Sequence, residues 1–186
     1  MQIEAAKKLF TVDEYYRMAE VGILTQDDRV ELIDGEIIKM CPISNRHLGC
    51  VNGASELFTV AFQGRAVVSV QNPLRLSNYT EPQPDIVVLK PRKDSYRSKR
   101  PEAEDVLLVV EVSDTTFSYD RKVKLPRYAI SGVPEVWIEN LENDLLLVFR
   151  DPAGDTYQTC ITLHRGDSIS MAVFPDVVFK VEDFLG

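Results

Sequence analysis

The fold is decided by residues 105–140, which read DVLLVVEVSDTTFSYDRKVKLPRYAISGVPEVWIEN. Residues 106–110 are all apolar, which is typical of a strand covered on both faces of a sheet. A helical pattern follows over 118–132 and closes at Gly132, and residues 134–140 predict another buried strand. Because Pro126 removes one backbone hydrogen bond, the helix is expected either to begin close to Pro126 or to be kinked there.

The N-terminal part of the chain predicts a helix and a hairpin. Thr11 and Glu14 have the spacing of a capping box, so a helix is expected to begin there and to end near Gly22. The segment RVELIDGEIIKM predicts two short strands joined at Asp34-Gly35, a dipeptide that favours a tight turn.

Further helices and strands are predicted on both sides of residues 105–140. Ser44 is expected to cap a longer helix that ends at Gly64. Residues 65–76 and 84–90 predict two strands. Residues 144–150 and 156–163 predict a hairpin, and residues 168–174 a final strand. The apolar face of the longer helix is expected to comprise residues at helical spacing: Leu48, Val51, Phe58 and Phe62.

The order of these elements predicts a mixed α/β protein. A helix, three strands, a helix and a strand follow one another, with hairpins on both sides. The sequence has no linker, repeat or low-complexity run, so a single domain over residues 1–186 is expected.

Composition excludes several classes of protein. The chain has 186 residues, of which 45% are hydrophobic and 27% charged, as in ordinary globular proteins. No apolar run reaches the roughly 20 residues of a membrane span, and MQIEAAKKLF lacks the pattern of a signal peptide. The three cysteines cannot all pair with one another, which favours a reducing, cytoplasmic location.

The charge is unevenly distributed. The formal net charge is −8, which argues against a basic coat for DNA or anionic membranes. Residues 1–40 have nine acidic and five basic residues, and residues 142–186 have eight and three, whereas residues 41–141 have twelve and thirteen. Within this central part, KPRKDSYRSKR (90–100) has six basic residues and one acidic residue. It is either a solvated loop or a local phosphate-contacting patch.

Asp85 and Glu111 occupy positions where carboxylates are costly. Glu111 lies near the end of the most apolar predicted strand, and Asp85 precedes the apolar run 86–89. An ionised carboxylate buried without a partner is strongly destabilising. If the two strands are neighbours, the carboxylates converge and suit Mg²⁺ or Mn²⁺. Alternatively, each lies in water at a strand edge or pairs with an arginine.

Lys124 is the third candidate residue. A helix that follows the Glu111 strand can bring its first turns back to the end of that strand. A cation there could orient an attacking water or stabilise charge on a phosphate. The alternative is a solvent-facing lysine, the usual place for this residue type, and Lys122 is expected to point elsewhere.

The stretches PDIVVL (84–89), DVLLVVEVSDTT (105–116) and YDRKVKLPRYAISGVPEVWIEN (119–140) resemble the Uma-two family. This is a family of restriction-endonuclease-like proteins in the PD-(D/E)XK nuclease superfamily. The resemblance extends over nearly the whole chain, through TVDEYYRMAE, VELIDGEIIKMCPIS with His47, VQNPLRL and FPDVVFKVEDFL.

The resemblance implies a restriction-endonuclease-like fold. In it, a central mixed β-sheet is flanked by helices, with an αβββαβ core and extra N- and C-terminal β-hairpins. It also implies metal-dependent phosphodiester hydrolysis, with Asp85 and Glu111 as the acidic pair. The lysine of the superfamily normally lies two residues after the glutamate, where this chain has Ser113. The resemblance points to Lys124 in its place.

The implied site contains a metal ion and several supporting side chains. Asp85 and Glu111, with the carbonyl group of Val112, are expected to hold Mg²⁺ or Mn²⁺, and Lys124 to position water or stabilise the transition state. Three further residues either line the site or have a structural role: Glu31, His47 and Gln71.

Three functions remain open at this point. The first is a Mg²⁺-dependent endonuclease that acts on DNA, is not membrane-bound and forms a homodimer. The second is a catalytically degenerate binding or dimerisation module with a nuclease fold, motivated by Ser113 and the net acidity. The third is a small-molecule or carbohydrate hydrolase that uses paired carboxylates. Zinc is not expected, since Cys41, His47 and Cys50 match no compact zinc motif.

Overall fold

The computed structural model describes residues 6–25 and 27–186, so residues 1–5 of the N-terminal segment MQIEAAKKLF lie outside it. The helical segments are α1 (Val12–Glu20), α2 (Asn45–Ala61), a 3₁₀ turn (Ala103–Asp105), α3 (Phe117–Tyr119), a π-helical segment (Asp120–Lys124), α4 (Leu125–Ile130) and α5 (Glu182–Leu185). The strands are β1 (Val30–Ile33), β2 (Glu36–Lys39), β3 (Val67–Val70), β4 (Ile86–Leu89), β5 (Val106–Ser113), β6 (Glu135–Asn140), β7 (Leu145–Ala153), β8 (Thr156–Leu163), β9 (Ser168–Ile169) and β10 (Phe179–Lys180).

A six-stranded mixed sheet forms the centre of the fold. Its strand order is β3-β4-β5-β6-β7-β8, and β5 and β6 are its parallel pair. The helical stretch 117–130 connects these two strands, as a crossover between parallel strands requires. The predicted αβββαβ core is therefore confirmed as α2, β3, β4, β5, the 117–130 stretch and β6. The predicted C-terminal hairpin is β7–β8, which extends the same sheet.

The N-terminal hairpin forms at the predicted turn. Asp34 and Gly35 have φ angles of 50° and 78°, the left-handed values that a two-residue hairpin turn needs. A side chain at position 35 would also lie 2.7 Å from Cβ of Leu9. The hairpin is attached to the rest of the molecule by a bridge between Leu32 and Glu81. It thereby approaches the segment that leads into β4.

Helix α2 covers one face of the sheet. Ser44 accepts a hydrogen bond from the backbone N–H of His47 and caps the helix as predicted. Leu48, predicted on the apolar face, is instead 44% exposed, and Ala54 is the small buried residue of that face. The other predicted residues of this face are buried: Val51, Phe58 and Phe62.

Successive side chains of strand β5 pack alternately into two different apolar clusters, one on each face of the sheet. Leu108, Val110 and Val112 pack toward α2, and Val109 packs on the opposite face, which Tyr128 covers from α4. Because side chains alternate along a strand, Glu111 lies on the same face as Val109. Glu111 therefore points at the 117–130 stretch rather than at α2.

A regular helix begins close to Pro126, which is one of the two alternatives expected from the sequence. Pro126 lies in the first turn of α4, where its missing N–H costs little. The preceding residues Asp120–Lys124 form a π-helical segment rather than regular α-helix. π-Helical turns are often found at functional sites.

Two predicted strands are shorter than expected. The strand predicted over 65–76 is confined to Val67–Val70. The strand predicted over 168–174 is wrong beyond Ser168–Ile169, which pair with Phe179–Lys180. The chain turns away after these two residues, and Met171 becomes part of the core under α2.

None of the helices within residues 6–25 and 27–186 is long and apolar enough to cross a membrane.

Candidate active site

A pocket of about 340 Å³ lies where the start of β4, the end of β5 and the π-helical segment meet. The N-terminal hairpin and the first turn of α2 complete its walls. The structure brings together in this pocket every site residue predicted from the sequence: Glu31, His47, Gln71, Asp85, Glu111, Val112 and Lys124.

Asp85 is held by three hydrogen bonds. Its Oδ2 interacts with Nε2 of His47 at 3.2 Å and accepts the backbone N–H of Val112 at 2.9 Å, and its Oδ1 accepts Nε2 of Gln71 at 3.2 Å. Burial alone would raise the pKa of Asp85, but His47 and these donors outweigh it and lower the pKa below its ordinary value. Asp85 is therefore ionised at neutral pH.

Glu111 lies level with Asp85 across the β4–β5 pair. Ile86 pairs with Val110, so the next residues outward are Asp85 and Glu111. The hydroxyl of Tyr128 donates to Oε1 of Glu111 at 2.5 Å. Burial raises the pKa of Glu111, and nearby carboxylates add to this effect. The site thus contains two adjacent carboxyl groups in different electrostatic surroundings.

Lys124 reaches this pair from the π-helical segment. Its Nζ lies 3.2 Å from Oε1 of Glu111, 3.5 Å from Oε2 of Glu31 and 3.8 Å from Oδ1 of Asp120. Burial would lower the pKa of Lys124, but the surrounding carboxylates more than compensate and raise it. The ammonium group therefore stays charged. Lys122, as expected, is exposed.

Ser113 occupies the position two residues after Glu111 where the superfamily pattern has its lysine. It lies on the same face of β5 as Glu111, is fully buried, and donates to Oδ2 of Asp120 at 2.7 Å. Asp120 in turn lies near Lys124. The space that a strand lysine would use is thus filled from the helix.

Glu31 and His47 connect the site to its surroundings. Glu31 is buried and accepts the backbone N–H of Gln83 at 3.0 Å, so its carboxylate is fixed toward Lys124. His47 is placed by the cap of α2, because Ser44 bonds its backbone. Since Asp85 is an acceptor, Nε2 of His47 must carry the hydrogen of their contact.

Sequence reasoning missed Asp120 and Tyr128 as site residues. Both are four residues from Lys124, and such spacing places side chains on one face of a helix. The signal was therefore present in the sequence, but the face could not be assigned to the pocket without the register of β5 against β6. Tyr119 lines the pocket together with Asp120, and its hydroxyl has no hydrogen-bond partner within the described residues.

The donor set suits a divalent cation. Five carboxylates line the pocket with three cationic side chains, of which only Lys124 is buried, whereas Arg29 and Lys39 are exposed. The carboxylates are those of Glu31, Asp85, Glu111, Asp114 and Asp120. This excess of negative charge, together with hard oxygen donors, fits Mg²⁺ or Mn²⁺ with waters completing the coordination. No group of three or more His, Cys, Asp or Glu side chains in the described part of the chain is arranged around a metal-sized space. Only a site with few protein ligands is therefore compatible with the geometry.

The basic segment 90–100 lies away from this site. Asp85 precedes β4 and the segment follows it, so the two are at opposite ends of the strand, and none of residues 90–100 lines the pocket. Three of its basic residues form ion pairs with acidic side chains: Arg92 with Asp94 (2.6 Å), Lys99 with Glu102 (2.9 Å) and Arg100 with Glu81 (3.6 Å).

One known protein family matches most of this chain. The model of the Uma2 family, described as "Putative restriction endonuclease", matches residues 12–182. The chain belongs to the Uma2 family. The resemblance seen in the sequence is thereby confirmed over most of the chain.

A solved structure shows that the Uma2 chain has the expected fold. It is similar to the crystal structure of a "putative nuclease belonging to DUF820" from Anabaena variabilis, with a TM-score of 0.72 and 14% sequence identity. The match covers 95% of this chain and 97% of the other. No curated protein sequence matches the chain. The restriction-endonuclease-like fold is therefore established, and family membership supports a nuclease.

Proposed function

We propose that this protein is a Mg²⁺-dependent endonuclease that hydrolyses phosphodiester bonds of DNA in the pocket around Asp85 and Glu111. The observation that carries the proposal is the position of Lys124. Its ammonium group comes from the helix after β5 and lies 3.2 Å from Glu111, beside Asp85. The acidic pair and the lysine needed for such a site are thus present together, although Ser113 occupies the usual lysine position.

Asp85, Glu111 and the carbonyl of Val112 would hold the metal ion. The N–H of Val112 points at Asp85, and in an extended strand the carbonyl of the same residue faces the same neighbour. A bound Mg²⁺ would lower the pKa of a water molecule and offset charge on the scissile phosphate. Mn²⁺ has the same preference for oxygen ligands and is expected to substitute for it.

Lys124 would act directly on the reacting groups. During hydrolysis the oxygen of water bonds to phosphorus, the bond from phosphorus to one sugar oxygen breaks, and the water loses a proton to solvent while the leaving oxygen gains one. The charged ammonium group of Lys124 can orient the water through a hydrogen bond and stabilise the negative charge that develops on the phosphate. Glu31 and Asp120 hold it in the pocket.

His47 and Gln71 are positioning residues in this proposal. Both hydrogen-bond to Asp85, and together with the N–H of Val112 they fix the orientation of its carboxylate. Asp85 still has an unused lone pair on Oδ1, because that atom accepts one hydrogen bond whereas Oδ2 interacts with two donors. This lone pair is available to a cation.

Cleavage assays with site variants test the proposal. Supercoiled plasmid and labelled oligonucleotides are incubated with the protein and Mg²⁺, Mn²⁺ or EDTA. Asp85→Asn, Glu111→Gln and Lys124→Met are each expected to lower the rate by about 10²-fold or more. Glu56→Gln, which changes an exposed carboxylate on α2, is the matched control and is expected to cleave like the wild type.

Two outcomes would contradict the proposal. Cleavage that persists in Asp85→Asn places the activity elsewhere, and a wild type without metal-dependent cleavage favours the binding or dimerisation module. The homodimer predicted from the sequence would let two sites cut two strands. It stays a prediction, which sedimentation velocity with and without DNA checks.

A further inference from the structure

The pocket wall that the β1–β2 hairpin forms differs chemically from the pocket floor, where Asp85, Glu111 and Lys124 lie. Glu31 pairs with Ile38 across the β1–β2 hairpin, and the carbonyl of Arg29 accepts the N–H of Met40 at 2.8 Å. Because side chains two residues apart share a face, these four residues form one surface, which we name the hairpin wall. All four line the pocket.

The outer part of the hairpin wall is apolar. Ile38 and Met40 are half-buried and face the pocket, and the following Pro42 and Ile43 are exposed and also line it. Phosphate groups gain nothing from such a surface, whereas the flat, largely apolar faces of nucleobases do. The wall is thus complementary to a base and the floor to a phosphate with its metal ion.

Arg29 adds a cation at the mouth of this wall. It is exposed, lines the pocket and forms no ion pair with any residue of 6–25 or 27–186. Lys124, in contrast, is committed to three carboxylates. A guanidinium group without a carboxylate partner is well suited to bind a phosphate of a nucleic-acid backbone.

The reactive groups lie deep in the pocket. The side chains of Glu111 and Lys124 are only 3% and 7% exposed, and Asp85 is 13% exposed. A duplex presents phosphates and groove edges but keeps its base faces stacked inside. It cannot place a base face on the hairpin wall while a phosphate reaches the floor, unless the base is first unstacked. A strand that is already unpaired meets both surfaces at once.

We propose that the substrate of this pocket is an unpaired DNA strand. One phosphate lies at Asp85 and Glu111, the adjoining base lies against Ile38 and Met40, and Arg29 binds a neighbouring phosphate of the same strand. This inference rests on the proposed nuclease function and adds the class of substrate. It predicts cleavage of single strands, overhangs and flaps, and poor cleavage inside a paired duplex.

The first test compares substrates of identical sequence. One labelled oligonucleotide is offered alone, fully paired, and paired so that half of it forms an overhang. Cleavage is expected in the free strand and the overhang, at a rate at least about tenfold above that in the paired region. Equal or faster cut rates in the paired duplex, abolished by Asp85→Asn, would overturn this inference and leave the nuclease proposal intact.

The second test measures binding without relying on cleavage. Fluorescence anisotropy of a labelled single strand in Ca²⁺ is recorded for the wild type, Met40→Ser and Arg29→Gln. Both variants are expected to bind about tenfold more weakly, and Arg29→Gln to reduce the salt dependence of binding. Arg97→Gln, an exposed cation in the segment 90–100, is the matched control and is expected to bind like the wild type.

The two tests separate the two claims. If nothing is cleaved but the strand binds through Arg29 and Met40, the nuclease proposal fails and the strand-binding surface stands. If Met40→Ser and Arg29→Gln bind as tightly as Arg97→Gln, the hairpin wall is not the binding surface and the inference is wrong. Unchanged melting temperatures of the two variants check that their folds are intact.

Discussion

Lys124 supplies the positive charge that compensates the buried carboxylates of the pocket. A buried ion pair is strongly destabilising when one partner is removed, because the other charge is left without compensation. Here one ammonium group lies within 4 Å of three carboxylates, those of Glu31, Glu111 and Asp120. Its effect on stability should therefore be large even though its proposed role is catalytic.

Replacing Lys124 with methionine is expected to destabilise the protein. We expect the free energy of unfolding at neutral pH to fall by roughly 3 kcal/mol, because methionine keeps the volume but not the charge. Urea denaturation measures the change. Lys122→Met removes an exposed positive charge two residues away and should change stability by less than about 0.5 kcal/mol. Equal stabilities of the two variants would show that Lys124 is not buried among carboxylates.

Tyr128 is expected to matter to both stability and activity. In Tyr128→Phe, Oε1 of Glu111 loses the donor at 2.5 Å, at a cost of about 1–3 kcal/mol. Tyr157→Phe is the matched control, because Tyr157 is also buried but donates to the backbone carbonyl of Val133 rather than to a carboxylate of the site. Both variants should lose stability in denaturant titrations. Only Tyr128→Phe should also change the dependence of cleavage rate on Mg²⁺ concentration, and a shared response would argue against a positioning role.

At the scale of elements, two neighbouring segments determine the site. The side chains of Glu111 and Ser113 on strand β5 face the 117–130 stretch. From the π-helical segment of this stretch, Lys124 contacts Glu111 and Asp120 accepts a hydrogen bond from Ser113. Coverage of β5 on both faces was readable from its sequence, because residues 106–110 are all apolar. Lys124 was predicted to reach Glu111, but the positions of Asp120 and Tyr128 beside them were not readable, because these depend on the parallel register of β5 against β6.

The cap of α2 offers a prediction at this scale. Ser44 caps the helix at His47 and also donates to Asp114 at 2.6 Å, beside the end of β5. Ser44→Ala is expected to cost about 1 kcal/mol of stability and to lower the rate of cleavage, because His47 loses its fixed position next to Asp85.

Thr11→Ala is the matched control for this experiment. Thr11 caps α1 in the same way, but it does not line the pocket. It should cost a similar free energy of unfolding without changing cleavage under conditions where both variants are folded. If Thr11→Ala slows cleavage as much as Ser44→Ala, the effect of Ser44 is one of global stability and not of His47.

At the scale of the whole molecule, buried acidic residues are not confined to the pocket. Glu81 is 2% exposed, hydrogen-bonded by the hydroxyl of Tyr16, and links the N-terminal hairpin to the segment before β4. Burial raises the pKa of Glu81 to about 7, although Arg75 opposes this. The folded protein therefore keeps a proton that the unfolded chain releases above its ordinary pKa of about 4.5.

This proton makes stability dependent on pH. Between about pH 4.5 and 7 the folded state binds more protons than the unfolded state, so the contribution of Glu81 to stability is lost as the pH rises. The free energy of unfolding of the wild type should fall as the pH rises from acid to mildly alkaline values. In Glu81→Gln this fall should be smaller, by on the order of 1–3 kcal/mol. Thermal or urea unfolding across this range measures the difference. Parallel curves would mean that Glu81 is ionised in the folded protein throughout.

The helices, strands and turns were predicted from the sequence more accurately than their long-range packing. The turn at Asp34-Gly35, the cap at Ser44 and the strand 106–113 depend on local chemistry and were predicted. The exposure of Leu48 and the short pairing of residues 168–169 with 179–180 depend on where the chain packs, which local patterns do not encode. The acidic pair was predictable because a carboxylate in an apolar strand requires a partner. The four-residue spacing of Tyr128 from Lys124 did not by itself place Tyr128 at the site.

Joint binding of a divalent ion by Asp85 and Glu111 is central to the proposed function, and calorimetric titration with Mn²⁺ measures it directly. The wild type is expected to bind Mn²⁺ at this site, and Asp85→Asn to bind it at least about tenfold more weakly. Asp155→Asn, which changes an exposed carboxylate in the turn between β7 and β8, should bind like the wild type. Wild-type protein that binds no Mn²⁺, or Asp85→Asn protein that binds it equally well, would contradict a metal site at Asp85 and Glu111.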